Sequence, residues 1–139
     1  MKVFAVIDTN VIVSALLSPL QDSATVIIRE KIEDGTVVPL FNDEILNEYK
    51  TVLSRSKFGF PECLVIELLE TIRHQGLSME RTKTNESFID INDIVFYEVA
   101  LSKEGSYLVT GNIRHYPRSP IVVTPSQLLK IISDSIESS

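Results

Sequence analysis

Two alternating patterns of apolar and polar positions organise the chain. Lys2 to Ile7 contains the continuous apolar run VFAVI, the pattern of a strand buried on both faces of a parallel sheet, and Val11 to Leu17 then reads as a helix. Ala24, Ile27, Ile28 and Ile32 share one face of a helix expected over Asp22 to Glu33, which Asp34-Gly35 ends before TVVPLF, a second strand whose pairing weakens at Pro39. In DEILNEYKTVLSR, residues Ile45, Leu46, Tyr49, Val52 and Leu53 form one side of an amphipathic helix, and another helix is expected over Pro61 to His74. GLSMERT offers a short third strand, DIVFYEVALSKEG a helix apolar nearly all round and therefore buried, and SYLVT and PIVVT two more strands. Thr124-Pro125-Ser126 caps a final helix over QLLKII, while Arg81 to Asn92 is polar and reads partly as loop.

Strands separated by helices imply βαβ units with right-handed crossovers. The expected fold class is α/β: a Rossmann-like three-layer α/β/α sandwich around a central, mostly parallel sheet of about five strands. Sites in such sheets gather at the carboxyl ends of the strands, near the point where strand order reverses. Asp8 occupies that kind of end.

Composition narrows the class. With 139 residues, 44% of them hydrophobic, one domain over 1–139 is expected. No apolar stretch approaches the roughly 20 residues of a membrane span, and the N-terminal segment lacks the marks of a leader. A single cysteine, Cys63, forms no internal disulfide and completes no zinc site, which fits a cytoplasmic protein. The net charge of -6 argues against broad adhesion to nucleic acid, so a polyanion would be met locally. Basic residues gather at Lys50, Arg55 and Lys57, at Arg81 and Lys83, and at Arg114, His115 and Arg118; each cluster also fits a solvated surface.

The candidate chemistry lies in acids. Asp8 either caps the helix that follows it or belongs to a site. Glu48 falls roughly 100° from the centre of its helix's apolar stripe and borders the core, whereas Glu44, at roughly 140°, looks outward; by spacing alone Glu48 reads more readily as an exposed acid near a helix N-terminus. Asp93 begins the buried helix on the face of Tyr97, Ala100 and Leu101, although Asp90, Asn92 and Asp93 all suit a helix start. Gly111-Asn112 follows the strand SYLVT and adds a neutral carbonyl oxygen. Asp8, Glu48, Asp93 and Asn112 thus come from four elements that a parallel sheet brings to one end. Converging carboxylates repel unless a proton or a cation lies between them, and oxygen ligands without a Cys or His cluster favour Mg²⁺ or Mn²⁺.

IDTNVIVSALLSP, FNDEILNEYKTVLSRSKF, INDIVFYEVAL and YLVTGNIRHYP followed by IVVTPSQLL resemble, in order and spacing, the four motifs of the PIN domain, and specifically its small prokaryotic single-domain toxins of toxin-antitoxin pairs. The resemblance covers nearly the whole chain. It implies acids at Asp8, Glu48 and Asp93 that bind metal and catalyse, with Thr9, Asn10 and Thr110 as polar support. Asn112 falls where many members carry a fourth aspartate; the change removes one charge and weakens a second ion. The implied activity is a Mg²⁺- or Mn²⁺-dependent endoribonuclease, with Glu48 either holding a second ion or accepting a proton through water. Arg114 and His115, next to Asn112, either contact the RNA backbone or are ordinary surface residues. An antitoxin partner and a homodimer are further family expectations. The rival is a degenerate PIN fold that binds RNA or protein without cutting. Aspartate-nucleophile phosphatases need a second aspartate where Asn10 stands, PIVVTP lacks the lysine of a receiver domain, and no P-loop is present.

Overall fold

In the computed structural model, which describes residues 2–138, the apolar runs become five parallel strands: β1 (Val3–Ile7), β2 (Val37–Phe41), β3 (Leu77–Ser78), β4 (Tyr107–Val109) and β5 (Val122–Val123). Their order in the sheet is β3-β2-β1-β4-β5. β1 lies in the middle with both faces covered, which is why VFAVI carries no alternation; Ala5, Val6 and Ile7 are fully buried. Pro39 sits opposite Ala5 in the register with β1, and β3 pairs with β2 only beyond it, at Leu40 and Phe41. The weakening at Pro39 therefore falls on the β3 side. Gly76 leads into β3 at a crossing so close that a Cβ there would collide with the carbonyl oxygens of Pro39 and Ile72.

Helices α1 (Thr9–Leu17) and α2 (Ala24–Glu33) join β1 to β2; α3 (Asp43–Leu53) and α4 (Glu62–Gln75) join β2 to β3; α5 (Ile94–Leu101) precedes β4; α6 (Pro125–Ser138) follows β5. Caps set the helix starts more closely than apolar spacing does. The Ser23 hydroxyl accepts the Val26 N–H (3.4 Å), so α2 begins two residues after Asp22, and Asn42 Oδ1 accepts the Ile45 N–H (2.9 Å) to start α3. Thr124 and Gln127 form a reciprocal capping box at α6. The Asp8 carbonyl accepts the Val11 N–H (3.0 Å), starting α1 at Thr9 rather than Val11.

α2 packs against α1, α4 and α6 in one layer, while α5 covers β1, β2 and β4 from the other face, completing the expected three-layer sandwich. Every residue of α5 from Val95 to Ala100 is buried, as an all-apolar helix should be. Leu101, expected on its packed face, is instead 37% exposed, because the chain leaves the helix for solvent there. Glu98 is the one acid inside this helix, and it anchors the preceding segment. Its carboxylate accepts from Arg81 Nε (2.7 Å) and from the Thr84 N–H (2.7 Å), and its carbonyl accepts from the Thr82 N–H (3.0 Å). Arg81 also pairs with Glu44 (2.8 Å), so its charge is committed to the fold. Among the described residues no helix is long and apolar enough to cross a membrane.

Candidate active site

Strand order reverses between β1 and β4, and the two strands are paired to their ends, Ile7 opposite Val109. The Asp8 N–H donates to the Val109 carbonyl (2.9 Å), which carries the ladder one residue further and brings Asp8 beside Thr110. Thr110 Oγ1 donates to Asp8 Oδ2 (2.8 Å), and the Tyr116 hydroxyl donates to the same oxygen (3.1 Å). Asp8 precedes α1, but its side chain makes no capping hydrogen bond, so helix capping does not account for it. Only 8% exposed, it is a carboxylate carried to the base of a cleft. Burial pushes its carboxyl above the ordinary range, against the hydrogen bonds from Thr110 and Tyr116.

Asp93 reaches the same place from the 3₁₀ turn Ile91–Asp93 that opens α5. Here too the side chain makes no capping hydrogen bond; Asp90 performs that task, accepting the Asn92 N–H (2.9 Å). Burial first, then the neighbouring charges of Asp8 and Asp90, push the Asp93 carboxyl up to about 6, with His115 and the Tyr116 hydroxyl opposing. His115 Nδ1 stands 3.6 Å from Asp93 Oδ2. Glu48 arrives on α3. Its neighbour Tyr49 is fully buried and donates its hydroxyl to the Ile7 carbonyl, which ties α3 to the end of β1 and sets Glu48 beside Asp8. Burial raises the Glu48 carboxyl, Arg55 opposes, and Asp8 and Asp90 add to the rise.

Asp8, Glu48, Asp93, Thr9, Asn10 and His115 line one open cleft of about 360 Å³, and Thr110 supports Asp8 from behind. Asn10 Oδ1 also meets the Gly111 N–H at 3.5 Å. Two other expected residues lie elsewhere. Asn112 is exposed and outside the cleft lining; its backbone N–H donates to Thr110 Oγ1 (3.0 Å) and its carbonyl accepts the His115 N–H (3.1 Å). Arg114 is exposed and lines a separate pocket with Pro117 and Arg118.

Three buried side-chain polar atoms among the described residues lack a hydrogen-bond partner, and two of them, Thr9 Oγ1 and Asp93 Oδ2, belong to this cleft. Buried oxygens left unpaired are costly, and mutually repelling carboxylates add to the cost. A hard cation would relieve both, and the donor chemistry fits one. The carboxylates share a cleft without forming a closed cage: among the described residues no group of three or more His, Cys, Asp or Glu is gathered to hold a metal.

Sequence spacing did not single out Tyr116, whose hydroxyl serves Asp8 and also acts on Asp93, because it sits in irregular chain after a 3₁₀ turn. Its only signal is a phenol in a segment otherwise expected to be loop. Phe88 holds its ring edge-on (6.2 Å, 89°). Asp90, Arg55 and Phe58 also line the cleft. The family model described as PIN domain matches residues 5–114. No match was found to a curated protein or to a solved structure.

Proposed function

The chain belongs to the PIN domain family, whose members are in general nucleases, and on that premise we propose that it is a divalent-metal-dependent endoribonuclease built as one PIN-like domain. The observation that carries the reading is the meeting of Asp8 and Asp93, from distant parts of the chain, in one cleft where neither side chain caps a helix and Asp93 Oδ2 is buried without a hydrogen bond, with His115 Nδ1 3.6 Å away. Asp8 and Asp93 would hold a Mg²⁺ or Mn²⁺ ion, which when bound supplies a water of lowered pKa and a counter-charge for the phosphodiester. Thr110 and Tyr116 fix the Oδ2 oxygen of Asp8. Glu48, its carboxyl raised, is placed to accept a proton from the attacking water. His115, beside Asp93, and Arg55, beside Glu48, are the cationic or potentially cationic groups nearest the phosphate path. The neutral Asn112 belongs to the turn that presents Thr110 and His115 rather than to the acid set. The family resemblance extends the reading to the toxin of a toxin-antitoxin pair, cytoplasmic and homodimeric.

A second reading, a non-catalytic RNA- or protein-binding module, is favoured by the lack of a gathered ligand set among the described residues. Cleavage of single-stranded RNA in Mg²⁺ or Mn²⁺, wild type against Asp8→Asn, separates the two. The nuclease reading expects at least a hundredfold loss in the variant, of the order of the 10²–10³ that removing one transition-state-stabilising group costs. Equal residual activity in both proteins would favour the binding module.

A further inference from the structure

Phe58 ends a short 3₁₀ turn, Ser56–Phe58, at the mouth of the carboxylate cleft, and neither the fold nor the proposed hydrolysis uses it. Its ring stacks on Phe60, with 5.5 Å between centroids and 12° between planes. Gly59 separates the two residues in the left-handed region (φ 65°), a turn that side chains resist, and so brings both rings to the same side. Phe60 packs on the hydrophobic core; Phe58 is half-buried and lines the cleft next to Val52 and Arg55. The Lys57 ammonium lies 5.0 Å from the centre of the Phe58 ring.

We propose that Phe58, seated on Phe60, is a stacking platform for one unpaired base of a single-stranded RNA whose neighbouring phosphate lies against the acids, with Arg55 and Lys57 meeting the flanking phosphates. The inference deepens the nuclease reading and rests on it. Every base offers a π-face, and stacking on an aromatic ring is stronger than an exposed cation–π contact, so an arriving base displaces the Lys57 ammonium, whose flexible stem lets it turn to a phosphate. Bases in a duplex are already stacked on one another, so the platform selects single strands. Stacking also answers the charge problem. A chain of net charge -6 with four acids in its cleft cannot hold a polyanion by general attraction, whereas an uncharged ring flanked by two local cations can.

The test is binding of a labelled single-stranded RNA oligonucleotide in Mg²⁺, with Asp8→Asn present throughout to keep the strand intact, followed by fluorescence anisotropy. Phe58→Leu is expected to weaken binding about tenfold, Phe58→Trp to hold it within about twofold, and an abasic strand to bind all three alike. A 2-aminopurine base should be quenched on the Phe58 protein and not on Phe58→Leu. Melting temperatures within about 2 °C of one another would exclude misfolding, as expected for a ring off the core. Equal affinity of the Phe58 and Phe58→Leu proteins overturns the proposal, as does failure of the Phe58 protein to bind RNA at all, which would hand the platform to a protein ligand. If RNA binds through Phe58 yet wild type cuts nothing, the platform stands and the hydrolytic reading falls.

Discussion

Asp93 carries an electrostatic cost that makes a sign-specific prediction. Its carboxyl, at about 6 in the folded protein against 3.8 ordinarily, binds a proton more tightly folded than unfolded. The stability that Asp93 contributes in the absence of divalent ions is therefore fully present below about pH 4 and is lost as pH rises through about 6. Asp8 and Glu48 are raised as well and push the same way. Asp93→Asn removes the buried charge and should stabilise the ion-free protein at pH 7.5 by about 1 to 3 kcal/mol, while abolishing RNA cleavage. Urea unfolding in EDTA at pH 5 and pH 7.5 reads both effects. A wild type more stable at pH 7.5 than at pH 5, or an Asp93→Asn protein less stable than wild type at pH 7.5, would contradict the account of the cleft.

At the scale of elements, α3 and α5 bring acids to the sheet edge because other residues hold them there. Tyr49 ties α3 to β1 through the Ile7 carbonyl, and Glu98 ties the segment after β3 to α5 through Arg81 and Thr84. Glu98→Ala takes away the acceptor of the Arg81 and Thr84 N–H groups, while the partly exposed Arg81 keeps its pairing with Glu44, so it should cost about 1 to 3 kcal/mol. It should also release the chain between Arg81 and Asp90, which limited proteolysis detects as new cleavage there before the rest of the protein is cut. Uniform resistance in that variant would show that the segment is held by something other than Glu98. The pairing was hidden from sequence reasoning because Glu98 sits in a helix whose pattern reads as wholly apolar, and an acid at such a position has no periodic signature until its partner is known.

For the whole molecule, the sheet's reversal point turns local repulsion into a property of the fold. An ion that binds the folded cleft stabilises by mass action, about 2.7 kcal/mol when present at a hundred times its dissociation constant. Mg²⁺ or Mn²⁺ should raise the melting temperature of wild type at pH 7.5 by several degrees, and that of Asp8→Asn or Asp93→Asn far less, as scanning calorimetry would show. Identical shifts in all three would place the ion elsewhere. The sequence by itself determined the strands, the helices and the three-layer class, because apolar periodicity is written residue by residue and parallel strands joined by helices admit few arrangements. It also offered Asp8, Glu48 and Asp93 as candidates, which the resemblance to the PIN motifs, rather than periodicity, singled out. What only the tertiary structure decided is which groups share the cleft: that Asp90 rather than Asp93 caps, that Tyr116 serves Asp8, and that the Asn112 backbone N–H donates to Thr110. Those outcomes depend on distances between segments far apart in the chain, and burial and Coulomb repulsion act on distance in space rather than along the sequence.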